Sequence, residues 1–251
     1  MSTASRDTPK VCELAGIGHR PRPMDQPRPS SPFRAGLLAA RANAIPGLLI
    51  QATILGVLLA YWQHEPTRAV LARVAELKSA YGYRFTFIVM GFVGGILPEL
   101  LRVFLFQKGR WSRENLASLA FNIPLWGVLG LGSDALYRAQ ALWFGDGVTP
   151  AVVAIKVCVD QFIYTPLISI PAFVWAYEWR RSRFAFTGSA YAFSPAFYRE
   201  RVLPSLIACW GVWIPTVSVV YCLPLLLQLP VCALATSFWS LVVVYMQPAD
   251  H

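Results

Sequence analysis

Long apolar runs separated by short polar segments set the pattern of this chain. The runs lie at about Ile45 to Trp62, Phe85 to Phe106, Leu116 to Phe144, Ala151 to Tyr177, Leu203 to Leu223 and Pro230 to Met246. Runs of this length with few charges are typical of helices that cross a bilayer. The pattern therefore predicts an all-α fold, a multi-pass transmembrane helical bundle with about six spans.

The connection between the last two runs leaves a second topology open. Pro224 to Pro230 is itself apolar, so this connection is able to stay within the membrane. Either six helices cross, or five cross and the chain ends in a buried hairpin.

The segments around the first run divide the chain into parts. Residues 1–34 are rich in Pro, Arg and Ser and hold few apolar clusters, which predicts a disordered basic tail. Residues 35–62 form a first transmembrane helix, and residues 63–247 form the main bundle. The Arg-rich start also suggests a mitochondrial presequence, although its prolines oppose the amphipathic helix that a presequence needs.

A polar segment between the first two runs has helical periodicity. From Thr67 to Tyr83, apolar side chains recur on one stripe at Val70, Val74, Leu77 and Tyr81, with the charges mainly off it. This predicts an amphipathic helix lying along the membrane surface. An ordinary solvated loop helix fits the same pattern.

Composition and charge support the membrane interpretation. The chain is 56% hydrophobic and 14% charged, whereas soluble domains carry about a quarter charged residues. The net charge of +9 comes mostly from short segments between the runs, which suits anionic lipid head groups. We expect membrane lipids as partners, a homo-oligomer as an open alternative, and no nucleic acid. The distribution of Lys and Arg favours both termini on the inner side if six helices cross.

Signals for metal binding or catalysis are missing from the sequence. Four of the five cysteines lie inside apolar runs, and neither a C-x-x-C motif nor a histidine pair at metal-ligand spacing occurs. No nucleophile turn or Gly-rich phosphate loop is present. We expect no metal, no cofactor and no enzymatic activity; intramembrane catalysis with Asp160 as a base is the remaining catalytic alternative.

Three pairs of opposite charge lie near or within the spans at helical spacing: Glu99 with Arg102, Asp134 with Arg138, and Lys156 with Asp160. A charge near the bilayer centre costs about 2.5–3.5 kcal/mol on insertion scales. A spacing of three or four residues puts both members on one helix face, where they can offset each other. One hypothesis is that these six residues and Gln161 line a pore or substrate site. The other is that the pairs only fix helix register.

Glycines and prolines inside the spans carry further signals. Gly91 and Gly95 form a G-x-x-x-G pattern that lets helices approach closely. The prolines predicted to lie inside the spans are Pro124, Pro166, Pro171, Pro215 and Pro224. Each frees a backbone carbonyl one turn earlier, which must be met by a neighbour or by water. Such carbonyls suit a channel lumen, and they also occur in bundles that conduct nothing.

Two stretches within residues 156–239 follow a family pattern. Lys156, Asp160, Gln161 and Pro166 make a K-x3-D-Q-x4-P run. A closing pattern of a proline, two tryptophans three apart, a second proline and a Phe-Trp pair follows at Pro204, Trp210, Trp213, Pro224, Phe238 and Trp239. In these stretches the chain resembles the Mpv-seventeen family of mitochondrial and peroxisomal multi-pass membrane proteins.

The chain resembles a distant member of this family, because other parts of the family pattern are only partly present. The family's Gly-Pro-x-x-His-x-Trp-Tyr element would fall on Gly130 to Tyr137, where Gly130 and Tyr137 agree and Asp134 occupies the histidine position. Against the family pattern, the helix at residues 35–62 is an N-terminal addition.

The resemblance implies an all-helical bundle without known enzymatic activity, associated with channel-like permeability and organelle membrane homeostasis. It extends a pore-lining role to Lys156, Asp160 and Gln161. We therefore expect a weakly selective channel-like protein for small solutes or ions; the alternative is a non-conducting scaffold that organises lipids or partner helices. The implied location is the mitochondrial inner membrane or the peroxisome in a eukaryote, and the plasma membrane in a bacterium.

Overall fold

The computed structural model describes residues 31–185 and 194–245, and these residues form helices joined by short turns, with no strand among them. The eight helices are α1 Pro32–Ala42, α2 Ala44–Gln63, α3 Glu65–Tyr81, α4 Tyr83–Phe106, α5 Arg113–Phe144, α6 Pro150–Arg181, α7 Pro195–Val220 and α8 Leu225–Tyr245. Helices α2, α4, α5, α6 and α7 are each long and apolar enough to cross a membrane. The predicted all-α multi-pass bundle is confirmed.

The last helix begins earlier than the sequence pattern predicts. Helix α8 starts at Leu225 rather than at Pro230, and the Leu227 N–H donates to the Pro224 carbonyl at its start (2.8 Å). The predicted apolar connection is therefore already helical. Pro224 lies between α7 and α8, not inside a span.

Helix α1 occupies the end of the predicted tail. It begins at Pro32, and the Ser31 hydroxyl caps it by accepting a hydrogen bond from the Arg34 N–H (3.2 Å). Proline is tolerated in the first helical turn because the N–H groups there have no intrahelical partner. Gly36 lies against Ile207 of α7, so this segment packs on the bundle. The rest of the predicted tail, residues 1–30, lies outside the described residues.

Helix α3 forms where the amphipathic periodicity predicts it, but its buried side chain is a charge. Lys78 is 1% exposed, whereas Val70 and Leu77 of the apolar stripe are at least half exposed. The stripe therefore faces away from the bundle, where it can contact lipid. Lys78 lies off the apolar stripe and faces the bundle.

Close packing of α4 on α5 follows from the glycine pattern. A Cβ atom added at Gly95 would lie 2.8 Å from the Ile123 backbone nitrogen, and one at Gly91 would lie 3.2 Å from the Ile123 carbonyl oxygen. Side chains at these positions would push the helices apart. The predicted G-x-x-x-G contact is confirmed.

Wide π-helical turns interrupt three of the spans and come just before prolines. They cover Phe92–Ile96 in α4, Asp160–Ser169 in α6 and Tyr198–Val202 in α7. The residues that follow at once are Leu97 and Pro98, Ile170 and Pro171, and Leu203 and Pro204. A proline ring clashes with the carbonyl four residues earlier in an α-helix. A turn with one extra residue relieves that clash.

In a π-helical turn the donor for each carbonyl lies five residues later, and proline has no N–H. The carbonyls five residues before Pro98, Pro166 and Pro171 therefore need another donor. Side chains of other helices supply it: Ser240 Oγ to the Val93 oxygen (3.0 Å), Trp210 Nε1 to the Gln161 oxygen (2.8 Å) and the Tyr198 hydroxyl to the Pro166 oxygen (3.1 Å).

The same rule holds for one proline in a regular α-helical stretch. Pro215 of α7 frees the Gly211 carbonyl, and Gln51 Nε2 of α2 lies 3.4 Å from that oxygen. The prediction that freed carbonyls are met by neighbours is confirmed for Pro166, Pro171 and Pro215. Pro124 lies within α5, as predicted.

Candidate functional site

A cavity of about 200 Å³ lies among helices α4 to α8 and reaches Asn43 at the junction of α1 and α2. We call it the central chamber. Its walls are mostly apolar or aromatic, and the aromatic residues are Trp126, Tyr137, Tyr164, Phe173, Trp213 and Trp239. Among the described residues that line it, Asp160 is the only one with a charged side chain.

The Asp160 carboxylate is buried and accepts three hydrogen bonds. Gln161 Nε2 and the Thr165 hydroxyl donate to Oδ1 at 3.1 and 3.2 Å, and the Tyr221 hydroxyl donates to Oδ2 at 2.9 Å. The Tyr221 oxygen accepts in turn from Gln140 Nε2 (3.0 Å), which leaves its hydrogen free to point at Asp160. Every partner is a donor, as an ionised carboxylate requires.

The wide turn of α6 positions this group. Asp160 is the first residue of the π-helical stretch, and Thr165 follows it by five residues, one full turn in that geometry. Thr165 therefore lies over the carboxylate; in an α-helix it would lie on a different face. Sequence analysis missed Thr165, Tyr221 and Gln140, because the first depends on the widened turn and the others lie far away in the sequence, in α5 and just after α7.

The predicted ion pair between Lys156 and Asp160 is wrong. Both side chains are buried, but no ion pair joins them within the described part of the chain. Helical side chains lean towards the amino terminus, and a lysine placed before the acid has the less favourable orientation for a pair. Lys156 does not line the central chamber, whereas the neighbouring Gln161 does.

The predicted pair of Glu99 and Arg102 is confirmed within α4. Arg102 Nη1 lies 3.6 Å from Glu99 Oε1, and Glu99 is 2% exposed. The same carboxylate accepts a hydrogen bond from Asn115 Nδ2 at the start of α5 (2.6 Å). This pair therefore ties two helices together and does not line the chamber.

The predicted pair of Asp134 and Arg138 is also confirmed and is part of a larger cluster. Arg138 Nε lies 3.4 Å from Asp134 Oδ1, while Oδ2 accepts from the Lys78 amine of α3 and from the Thr86 hydroxyl of α4 (2.8 Å). The Arg138 guanidinium also lies 5.0 Å from the centre of the Tyr83 ring. Burial lowers the pKa of the Lys78 amine, and the hydrogen bond to Asp134 acts in the opposite direction. This cluster joins α3, α4 and α5.

The structure therefore separates the seven predicted pore-lining residues. Asp160 and Gln161 line the central chamber, four others lie in the two ion-pair clusters, and Lys156 is buried outside the chamber lining. Of the family-pattern residues, Trp213 and Trp239 line the chamber, and Trp210 donates to the Gln161 carbonyl that Pro166 frees.

Among the described residues, no group of three His, Cys, Asp or Glu side chains is placed to hold a metal ion. The fold defines a multi-pass integral membrane protein whose apolar helices contact lipid. No family model, curated protein or solved structure matches the chain.

Proposed function

We propose that this protein is a weakly selective channel-like protein that passes small solutes or ions through the central chamber. The observation that carries the proposal is the buried Asp160 carboxylate, which lines a cavity bounded by five successive helices. Ionisable groups inside membrane proteins commonly mark solute or ion pathways, because each one is costly to place in the bilayer.

The family resemblance supports the same proposal through the local structure that the matched residues build. Asp160 and Gln161 line the chamber, and Pro166 frees the Gln161 carbonyl that Trp210 meets. The matched residues thus cooperate in shaping one wall of the cavity. We propose on this basis that the chain is a distant relative of the Mpv-seventeen family.

Conductance of the purified full chain in planar bilayers tests the proposal. We expect measurable conductance that changes in Asp160→Asn, because this substitution removes the carboxylate charge while keeping the shape of the side chain. Asp146→Asn is the matched control, since Asp146 is exposed and lies outside the chamber. Absence of conductance at every voltage and pH would contradict the proposal.

A non-conducting scaffold is the second candidate, and the freed carbonyls favour it. Four of them are met by side chains from neighbouring helices, so these oxygens are bound rather than bare. A scaffold predicts that no preparation conducts, whether or not residue 160 carries a carboxylate. Conductance that depends on Asp160 would reject the scaffold.

We propose a location in the mitochondrial inner membrane or the peroxisome if the source is eukaryotic, and in the plasma membrane if it is bacterial. This follows from the family resemblance together with the apolar helices. Membrane fractionation with an antibody against the native chain tests it, and enrichment in a different membrane would contradict it.

A further inference from the structure

A residue that lines the central chamber has a buried acceptor atom without a donor. Gln161 gives its Nε2 to Asp160, which fixes the orientation of the amide, and its Oε1 has no hydrogen-bond donor among the described residues. Gln161 is 3% exposed, so bulk solvent does not reach it freely. A buried acceptor without a donor is unfavourable, and a ligand that donates would satisfy it.

The charge in the chamber is also unbalanced. Asp160 has no cationic partner within ion-pair distance among the described residues, and no Lys, Arg or His side chain lines the cavity. Lys156, the cation closest in sequence, lies outside the chamber lining. Three neutral donors reduce the cost of burying this carboxylate, but a cation would offset the charge itself.

The walls are suited to an organic cation rather than to a hydrated metal ion. Aromatic rings of Trp126, Phe173 and Trp213 surround the cavity, and ring faces attract ammonium groups. The volume of about 200 Å³ exceeds the roughly 150 Å³ of an engineered apolar cavity that holds benzene. A ligand with one ring or a short alkyl body and one charged head therefore fits.

We propose that the central chamber binds a small organic cation, a primary or secondary ammonium with an apolar body. Its N–H groups donate to the Asp160 carboxylate and to Gln161 Oε1, and its apolar body contacts the aromatic walls. This inference rests on the proposed function in that the same chamber serves both, but binding and passage are measured separately.

Binding of probe compounds to the full chain in lipid nanodiscs tests the inference, with empty nanodiscs as the blank. Benzylammonium carries the charge and N–H donors, benzyl alcohol is its neutral analogue, and benzoate is an anion of similar size. We expect benzylammonium to bind about tenfold or more tightly than benzyl alcohol, the ratio of a charge-assisted to a neutral hydrogen bond, and benzoate not to bind. Equal affinity for the alcohol would overturn the proposal.

Substitutions test whether benzylammonium binds at Asp160. We expect Asp160→Asn to weaken benzylammonium binding about tenfold or more, because the charge-assisted bond is lost. Asp146→Asn should bind as the native chain does, and thermal melting reports whether each variant is folded. A folded Asp160→Asn with unchanged affinity would overturn the proposal, and the probe series on the native chain decides even if the variant does not fold.

The failure of this inference differs from the failure of the proposed function. If benzylammonium binds but the protein does not conduct, the ligand site is supported and the passage of solutes is rejected. If the protein conducts but benzylammonium neither binds to it nor blocks the current, passage is supported and the proposed ligand class is rejected.

Discussion

At the residue scale, the order of charges along a helix decides which intramembrane pairs form. Two of the three predicted pairs exist, and in both the acid comes first: Glu99 with Arg102 and Asp134 with Arg138. In the third pair the lysine comes first, and Lys156 and Asp160 separate. Helical side chains lean towards the amino terminus, which makes an acid followed by a base the more favourable order for such a pair.

Asp134 should be the most sensitive charged residue for stability. Asp134→Asn leaves the buried Lys78 amine without its counter-charge, so we expect a loss of about 3 kcal/mol in the free energy of unfolding. Unfolding in mixed micelles of increasing denaturing detergent measures it. Glu76→Gln, which removes the acid of the exposed ion pair with Arg73, should shift stability by less than about 0.5 kcal/mol. Equal effects of the two substitutions would contradict a structural role for the cluster.

At the element scale, prolines connect the helices through the carbonyls that they free. The sequence predicts that such carbonyls exist, because proline lacks an N–H wherever it lies. It does not predict the widened turns or the donors to these carbonyls. Trp210 lies 49 residues and Ser240 lies 147 residues along the chain from the residue whose carbonyl each one meets. The free carbonyls were therefore predictable from the sequence, and the side chains that bind them were not.

The bond from Trp210 to the Gln161 carbonyl should depend on Pro166. Trp210→Phe leaves a buried acceptor unmet, which we expect to cost about 1–3 kcal/mol. In a Pro166→Ala background the backbone N–H returns, so the cost should fall by about 1 kcal/mol in a double-mutant cycle. Trp213→Phe is the control, because its cost should be the same in both backgrounds. Strict additivity for Trp210 and Pro166 would contradict this account.

Glycines should matter for stability where α4 packs on α5 and not where they face open space, as Gly56 does. Gly95→Ala places a methyl group against the Ile123 backbone, and we expect a loss of about 1–3 kcal/mol. Gly56→Ala meets nothing within 4 Å, and should be neutral or stabilising by up to about 1 kcal/mol through helix propensity. Chemical denaturation in micelles measures both. A tolerated Gly95→Ala would contradict close packing of these helices.

At the scale of the whole molecule, the bundle and its apolar surface were predictable from the runs, whereas the chamber was only partly so. Asp160 and Gln161 stand out in the sequence because they interrupt an apolar run. The other lining residues do not, since Trp126, Thr165 and Cys232 resemble ordinary bundle residues until several helices meet. Lys78 was missed for the same reason, because its partner Asp134 is 56 residues away.

The number of crossings fixes where the two ends of the chain lie. Helix α8 has 21 residues and is about 31 Å long at 1.5 Å per residue, enough for a hydrocarbon core of about 30 Å. We therefore expect six crossings and both termini on the same side. Labelling of cysteines added at each end, in sealed vesicles of known orientation, checks this. Labels on opposite sides would indicate five crossings and contradict the expectation.

The measurement that tests the central claim most directly is solute flux into proteoliposomes that contain the purified full chain. We expect flux of small solutes or ions in the native chain and in Asp146→Asn, a changed flux in Asp160→Asn, and inhibition by benzylammonium in the native chain. Equal flux in all three proteins, or no flux above protein-free liposomes, would contradict a functional chamber built around Asp160.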